Sequence, residues 1–126
     1  MAKKRILMVD DEESFGEIVK LNLEYTGEYE VWTERRGSQA VKAALEFKPD
    51  LIILDVLMPD MDGPAVFKEL RRQKTLKTVP VIYLTALVAK SEQGLTPNEP
   101  FVAAKPIGCD ELLEIIRKQL GQKGPV

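Results

Sequence analysis

The stretch LIILD at residues 51–55 contains four consecutive aliphatic residues and ends at an acid. Pro49-Asp50 precedes this run, and a segment containing both Pro and Gly follows it. A short apolar run with β-branched residues between turn-forming residues is typical of a strand that is buried on both faces. Asp55 would then lie at the carboxyl end of a parallel strand, the edge at which open α/β sheets bind ligands.

Four further apolar runs have the length of strands, and helical patterns alternate with them. The predicted strands, besides residues 51–55, are Ile6–Val9, Tyr29–Thr33, Val81–Leu84 and Phe101–Ala104. The predicted helices are Ser14–Thr26, Gly37–Phe47, Pro64–Gln73 and Asp110–Leu120. Strands that alternate with helices predict a parallel sheet with right-handed crossovers and helices on both faces.

Apolar spacing also predicts which faces of two helices pack against the sheet. For the first helix the predicted inner residues are Phe15, Ile18, Val19, Leu21 and Leu23. For the second helix they are Ala40, Val41, Ala44 and Leu45.

Composition indicates one ordinary globular domain of 126 residues, with 44% hydrophobic and 30% charged residues. The net charge of −2, without a basic stripe, argues against direct binding of nucleic acid. A single cysteine excludes an internal disulfide and suits a reducing, cytoplasmic compartment. The absence of histidine excludes a phosphohistidine and a histidine-ligated metal within these residues.

The motif Asp55-x-x-Met58-Pro59-x-Met61-Asp62-Gly63 resembles the phosphoacceptor loop of response-regulator receiver domains, the CheY-like superfamily. The resemblance extends over nearly the whole chain, because the other motifs of that family also follow predicted strands. These motifs are Asp10-Asp11, Thr85-Ala86 and Lys105-Pro106. The implied fold is a flavodoxin-like, doubly wound sheet of five parallel strands in the order 2-1-3-4-5, with a degenerate fourth helix.

In this strand order the acids Asp10, Asp11 and Asp55 would meet at one edge of the sheet. Three neighbouring carboxylates repel one another, and a cation removes the conflict. Oxygen ligands favour a hard cation, so we expect Mg²⁺, with Mn²⁺ possible. The resemblance implies that Asp11, Asp55 and the backbone carbonyl of Leu57 bind the metal directly, and that Asp10 acts through water.

The same resemblance makes Asp55 the acceptor of a phosphoryl group. Lys105 would supply a fixed positive charge to that group, and Thr85 would donate a hydroxyl hydrogen bond. The backbone N–H of Ala86 would bind a further phosphoryl oxygen. Taken singly, each of these residues has a structural explanation as a turn former, a helix cap or a solvated side chain. Their joint placement at strand ends, in the family's order, favours the functional interpretation.

One position departs from the family pattern. Receivers usually carry Phe or Tyr three residues before the lysine, but here that position is Val102 and Phe101 precedes it. Because side chains alternate along a strand, we expect Phe101 to lie on the opposite face from Val102. Cys109 falls in the first turn of the last helix, where we expect a small apolar filler, although a reactive thiol remains an alternative.

The sequence therefore predicts a receiver domain over residues 1–121 followed by a flexible tail over residues 122–126. It would accept a phosphoryl group by self-catalysed transfer from a histidine kinase or histidine phosphotransfer protein, without being an enzyme in the usual sense. Phosphorylation would shift its conformation and its binding to an unknown downstream protein, as a monomer or weak dimer away from membranes. The alternative is a protein-interaction module of the same fold that works without phosphorylation.

Two other classes fit the residues less well. An aspartyl-phosphate phosphohydrolase needs a second carboxylate two residues after its nucleophile, and Leu57 occupies that position. A flavin site needs a phosphate-binding loop after the first strand, where Asp10 and the acids that follow it would repel a phosphate.

The segment 87–100 breaks the alternation of strands and helices. Gly94 disfavours a helix by about 1 kcal/mol, and Pro97 and Pro100 would each cost about 3 kcal/mol inside one. Leu95 is the one large apolar residue after Ala89 and before Phe101, too little for an amphipathic face. We expect at most a short turn over residues 89–93 and then an irregular loop, which would make the output face non-standard.

Hydrogen exchange of the unphosphorylated protein tests this expectation. Amides of residues 87–100 should exchange fast, because few of them would form helical hydrogen bonds, while the helix Asp110–Leu120 in the same sample stays protected. Exchange that slows on phosphorylation or on partner binding would indicate ordering of the segment. Protection equal to that of the last helix in the free protein would refute the loop.

Overall fold

The structure is a computed structural model that describes residues 3–85, 101–104 and 107–121. Its strands are β1 (Lys4–Val9), β2 (Tyr29–Glu34), β3 (Leu51–Asp55), β4 (Val81–Thr85) and β5 (Phe101–Ala104). Its helices in these residues are α1 (Glu13–Tyr25), α2 (Ala40–Phe47), α3 (Gly63–Arg72) and α4 (Cys109–Gln119). Short 3-10 helices, Gly37–Gln39 and Lys74–Leu76, precede α2 and follow α3.

All five strands are parallel and lie in the order β2-β1-β3-β4-β5, which confirms the predicted topology. The strand β3 is central, pairs with β1 and β4, and is buried along its whole length. Its continuous aliphatic run follows from this position, because each face of the strand meets a helical layer.

Two hydrophobic clusters lie on opposite faces of the sheet. Along β1 and β3, Ile6, Met8 and Ile53 belong to the cluster that α1 and α4 cover. The alternate residues Leu7 and Leu54 belong to the cluster that α2 and α3 cover. The strict alternation of side chains along each strand thus fixes both cores and holds the carboxyl ends of the strands in one register.

The predicted inner face of α1 is wrong at two positions. Val19 and Leu23 are buried, but Ile18 is 57% exposed and Leu21 is also exposed. A helix turns about 100° per residue, so Gly16, Val19 and Leu23 share one side and Ile18 and Leu21 lie on the other. The apolar residues of α1 therefore form two stripes, of which only the one that contains Val19 and Leu23 faces the sheet.

The predicted face of α2 is also partly wrong. Ala40 and Ala44 are buried as predicted, and Val41 is half-buried and packs against the core. Leu45, however, is exposed, and the helix buries Ala43 and Phe47 instead. The 3-10 helix at residues 37–39 precedes α2, and the buried positions then recur at the helical spacing that starts from Ala40.

Local signals at the start of α3 agree with prediction. Pro64 lies in the first turn, and the carboxylate of Asp62 accepts a hydrogen bond from the N–H of Ala65, a distance of 2.9 Å. The predictions for residues 87–100 and for the tail 122–126 lie outside the described residues.

The two isoleucines Ile53 and Ile18 provide a test of the core. Ile53 is 0% exposed in β3, so Ile53→Ala should lower the free energy of unfolding by about 2–5 kcal/mol. Ile18→Ala should change it by no more than about 0.5 kcal/mol, because that side chain faces solvent. Urea denaturation of both variants measures the difference, and equal losses would contradict this assignment of the faces of α1.

Candidate functional site

Three carboxylates converge at the carboxyl edge of the sheet. Asp10 follows β1 and Asp55 ends β3, and these strands are neighbours in which Val9 pairs with Leu54. One oxygen each from Asp10, Asp11 and Asp55 lies within 4.8 Å of the other two. The parallel register thus places side by side three acids that are up to 45 residues apart in sequence.

The backbone around these acids fixes two of the carboxylates. The N–H of Glu12 donates to Oδ1 of Asp10 at 2.9 Å, and the N–H of Leu57 donates to Oδ1 of Asp55 at 3.3 Å. Asp10 is also held through its own N–H, which donates to the carbonyl of Glu34 in β2 at 3.0 Å. These contacts orient the carboxylates before any ligand arrives.

The site concentrates negative charge where water is scarce. Asp10 is 3% exposed and Asp55 is 5% exposed, and among the described residues they are the buried charged side chains. Asp11, by contrast, is exposed and borders solvent. Burial of a carboxylate is costly unless a partner compensates its charge. A donor set of carboxylate oxygens, with no sulfur or imidazole, fits a hard divalent cation such as Mg²⁺.

The β3–α3 loop, residues 56–62, is closed tightly beside Asp55. The N–H of Gly63 donates to the carbonyl of Val56 at 2.9 Å. A Cβ on Gly63 would lie 2.9 Å from the carbonyl oxygen of Asp55 and 2.9 Å from Cα of Val56. Only glycine permits this approach, so the Gly of the sequence motif has a steric function in shaping the loop.

The loop also contacts the start of the helical segment that contains α2. The carboxylate of Asp60 accepts hydrogen bonds from the N–H of Gly37 at 3.2 Å and of Ser38 at 3.0 Å. The bonds from Ser38 are the main cause that lowers the pKa of Asp60 to about 2. Sequence reasoning missed this residue, because no local pattern links positions that are 22 and 23 residues apart.

The remaining predicted site residues are described only in part. Thr85 ends β4 and pairs with Ala104, next to the pair formed by Asp55 and Leu84 in the adjoining strands. Its backbone therefore lies at the same edge as Asp55, while the prediction for its hydroxyl lies outside the described side chains. Ala86 and Lys105 lie outside the described residues. Leu57 lies two residues after Asp55 in the β3–α3 loop, and its side chain is 52% exposed.

Phe101 and Val102, at and beside the position where receivers usually carry an aromatic residue, lie on different faces of the sheet, as the alternation along a strand predicts. Phe101 packs against the cluster beneath α1 and α4, opposite Ile82. Val102 pairs with Tyr83, which packs against the other cluster. The ring of Phe101 therefore belongs to one core, and position 102 offers a smaller aliphatic side chain on the face that receivers usually supply with an aromatic ring.

Cys109 has the environment of a packing residue. It is the first residue of α4 and is half-buried. Burial, and then the charge of Asp110, raise the pKa of the Cys109 thiol. A raised pKa lowers the fraction of thiolate at neutral pH, which argues against the reactive thiol considered above.

Comparisons with known proteins agree with this geometry. The family model for the response regulator receiver domain matches residues 6–117. The chain belongs to the response regulator receiver family. Its fold is similar to that of the receiver domain of the sensor histidine kinase PA1611 from Pseudomonas aeruginosa, with a TM-score of 0.82 and 30% identity over 96% of this chain and 100% of that one. That receiver was solved with a magnesium ion coordinated in its active-site cleft.

Curated relatives are transcriptional regulators. The alkaline phosphatase synthesis regulator PhoP of Bacillus subtilis is 49% identical over 66% of this chain and 33% of its own length. The DNA-binding regulator RpaA of Synechocystis is 35% identical over 92% of this chain and 48% of its own length. The chain thus spans about a third to a half of the length of these relatives.

None of the helices in the described part of the chain has both the length and the apolar character that crossing a membrane requires.

Proposed function

We propose that this chain is a phosphoacceptor receiver domain of a two-component phosphorelay. The observation that carries the proposal is the convergence of Asp10, Asp11 and Asp55, with one oxygen of each within 4.8 Å of the others. Asp55 is the acceptor in this proposal, because it ends the central strand and directly precedes the loop that carries the rest of the family's motif. The receiver unit comprises residues 1–121.

Phosphoryl transfer to Asp55 requires a nucleophilic oxygen and compensation of charge on the transferred group. An oxygen of Asp55 attacks phosphorus and forms the new O–P bond. The bond from phosphorus to the donor imidazole nitrogen breaks, and its electron pair remains on that nitrogen. The N–H of Leu57 donates to Oδ1 of Asp55 at 3.3 Å, which holds the carboxylate in a defined orientation for this attack.

Charge compensation comes from two sources in this proposal. Asp11, Asp55 and the carbonyl of Leu57 would hold Mg²⁺ directly, and Asp10 would act through water. When bound, Mg²⁺ neutralises negative charge on the carboxylates and on the phosphoryl oxygens. Lys105 pairs with the phosphoryl group, while Thr85 and the N–H of Ala86 donate hydrogen bonds to it.

In this proposal the phosphodonor is a histidine kinase or a histidine phosphotransfer protein, the donors that membership of the receiver family suggests. Such a donor must contact surfaces beside the acceptor edge, where α1 begins. On α1 the side chains of Ile18, Leu21 and Tyr25 are exposed along one stripe, which starts in the second turn of the helix and runs from there to its last residue, away from that edge. We propose this stripe as part of the donor's contact surface, with the protein acting in the cytoplasm.

Phosphorylation then shifts a conformational equilibrium and changes binding to a downstream protein. DNA binding, which is part of the printed name of RpaA, is not proposed for these residues. The net charge of −2 gives no electrostatic attraction for nucleic acid.

The acceptor is tested by intact mass after incubation with acetyl phosphate and Mg²⁺. The wild-type protein should gain one phosphoryl group, and Asp55→Asn should gain none, because an amide oxygen is a poor nucleophile. Asp50→Asn is the matched control, since Asp50 lies at the opposite edge of the sheet, where its carboxylate accepts the N–H of Arg5. Asp11→Ala should lose the dependence of labelling on Mg²⁺. Equal labelling of the Asp55→Asn variant would remove Asp55 from the mechanism.

The lifetime of the phosphorylated form is a separate prediction. In the family, the residues two after the acceptor and two after the switch threonine border the path of the attacking water; here they are Leu57 and Leu87. Neither side chain can orient water by hydrogen bonding, so we expect slow loss of phosphate. The double variant Leu57→Asn, Leu87→Glu should lose phosphate about tenfold faster than the wild type. This increase is smaller than the rate enhancement of about 10²- to 10⁴-fold that a well-positioned general base provides.

Decay of the phosphorylated species, followed by intact mass, measures this effect. Leu45→Asn serves as the control, because Leu45 is an exposed leucine on α2. Unchanged or slower decay in the double variant would contradict the explanation.

A further inference from the structure

Asp60 lies in the middle of the β3–α3 loop and reaches a different element. Its two carboxylate oxygens accept the N–H groups of Gly37 and Ser38, at 3.2 Å and 3.0 Å, and the Ser38 hydroxyl also hydrogen-bonds to it. Gly37 and Ser38 open the 3-10 helix that leads directly into α2. Their N–H groups have no acceptor within the first helical turn, so Asp60 caps this helical segment from outside.

A close steric contact accompanies these hydrogen bonds. A Cβ on Gly37 would lie 2.6 Å from the carbonyl oxygen of Met61 and 3.1 Å from Cβ of Met61. Gly37 is buried, so the loop backbone is seated directly on this glycine. The loop is therefore fixed by attraction at Asp60 and by contact at Met61.

We propose that Asp60 is a positioning residue for the phosphoacceptor site, a proposal that rests on the function proposed above. Asp60 touches neither the phosphoryl group nor the metal. It holds the loop whose first residues include Leu57, the residue whose N–H orients Asp55 and whose carbonyl is the proposed metal ligand. Ordering the loop in advance lowers the entropic cost of bringing that carbonyl to the metal.

The mechanism follows from how the loop is held. Its first end is continuous with β3, and the hydrogen bond of Gly63 to Val56 draws its last end back to the first. Without Asp60, the residues between these ends lose three hydrogen bonds to another element. The backbone at Leu57 then samples more conformations, and fewer of them present its carbonyl beside Asp11 and Asp55.

The experiment compares Asp60→Ala and Asp60→Asn with the wild-type protein. Asp50→Ala is the matched control, because Asp50 also accepts a backbone N–H from another element, that of Arg5 at 2.8 Å, but at the opposite edge of the sheet. Hydrogen exchange without metal reports on loop order, calorimetric titration with Mg²⁺ reports on affinity, and mass spectrometry reports on the rate of labelling by acetyl phosphate.

Asp60→Ala should speed exchange at Gly37, Ser38 and the loop amides. It should raise the Mg²⁺ dissociation constant about three- to tenfold, less than the about 10- to 100-fold typical of groups bonded directly to a metal ligand. Asp50→Ala should leave that constant unchanged. Asp60→Asn, which keeps one good acceptor oxygen without the charge, should lie closer to the wild type than Asp60→Ala does.

Three results would overturn the proposal. Unchanged exchange in Asp60→Ala would show that Asp60 does not order the loop. A looser loop with unchanged Mg²⁺ affinity and labelling rate would make Asp60 purely structural. If Asp60→Asn and Asp60→Ala lose the same Mg²⁺ affinity while the loop amides of Asp60→Asn stay protected from exchange, the effect comes from the charge of Asp60 and not from ordering of the loop. If the wild-type protein binds no Mg²⁺, the metal site and the function proposed above are rejected together with the role of Asp60 in metal binding. Hydrogen exchange would then still show whether Asp60 orders the loop.

Discussion

The burial of Asp10 and Asp55 side by side is the constraint on which the rest of this structure depends. Two carboxylates that are 3% and 5% exposed repel each other and lose hydration, so the fold must hold them against a free-energy cost. It does so with two strands, β1 and β3, whose side chains fill cores on both faces of the sheet. The strands cannot slip by one residue without moving every core side chain to the wrong face, and this locks the acids in place.

Sequence alone predicted the parts that follow from repetition along a strand. The aliphatic runs ending at Asp10, Asp55 and Thr85 located the site edge, and the family resemblance supplied the strand order that joins them. Prediction was weaker for the helices, because apolar residues in α1 occur on more than one side of the helix. The predicted apolar face of α1 is wide enough to include Ile18 and Leu21, although the 100° step places them opposite Val19 and Leu23.

The hydrogen bonds of Asp60 show a different limit of sequence reasoning. A carboxylate in a Pro- and Gly-containing loop is ordinarily interpreted as a turn former, and that is how Asp62 acts when it caps α3. Asp60, two residues away, instead binds backbone N–H groups more than 20 residues earlier. Its partners are backbone atoms, so no complementary side chain marks them. Gly37 is the one partner with a residue-specific requirement, because any Cβ there would strike the carbonyl of Met61.

These contacts bear on how a signal could leave the site. A switch that moves an aromatic ring on β5 towards the end of β4 needs that ring on the same face of the sheet as Tyr83. On β5 that face carries Val102, whereas Phe101 packs on the other face, beneath α1 and α4. The described residues offer another connection: the loop that begins at Asp55 is joined through Asp60 to the start of the segment containing α2. If the proposed phosphorylation of Asp55 moves the loop, the hydrogen bonds of Asp60 would transmit that movement to Gly37 and Ser38 at the start of the segment containing α2.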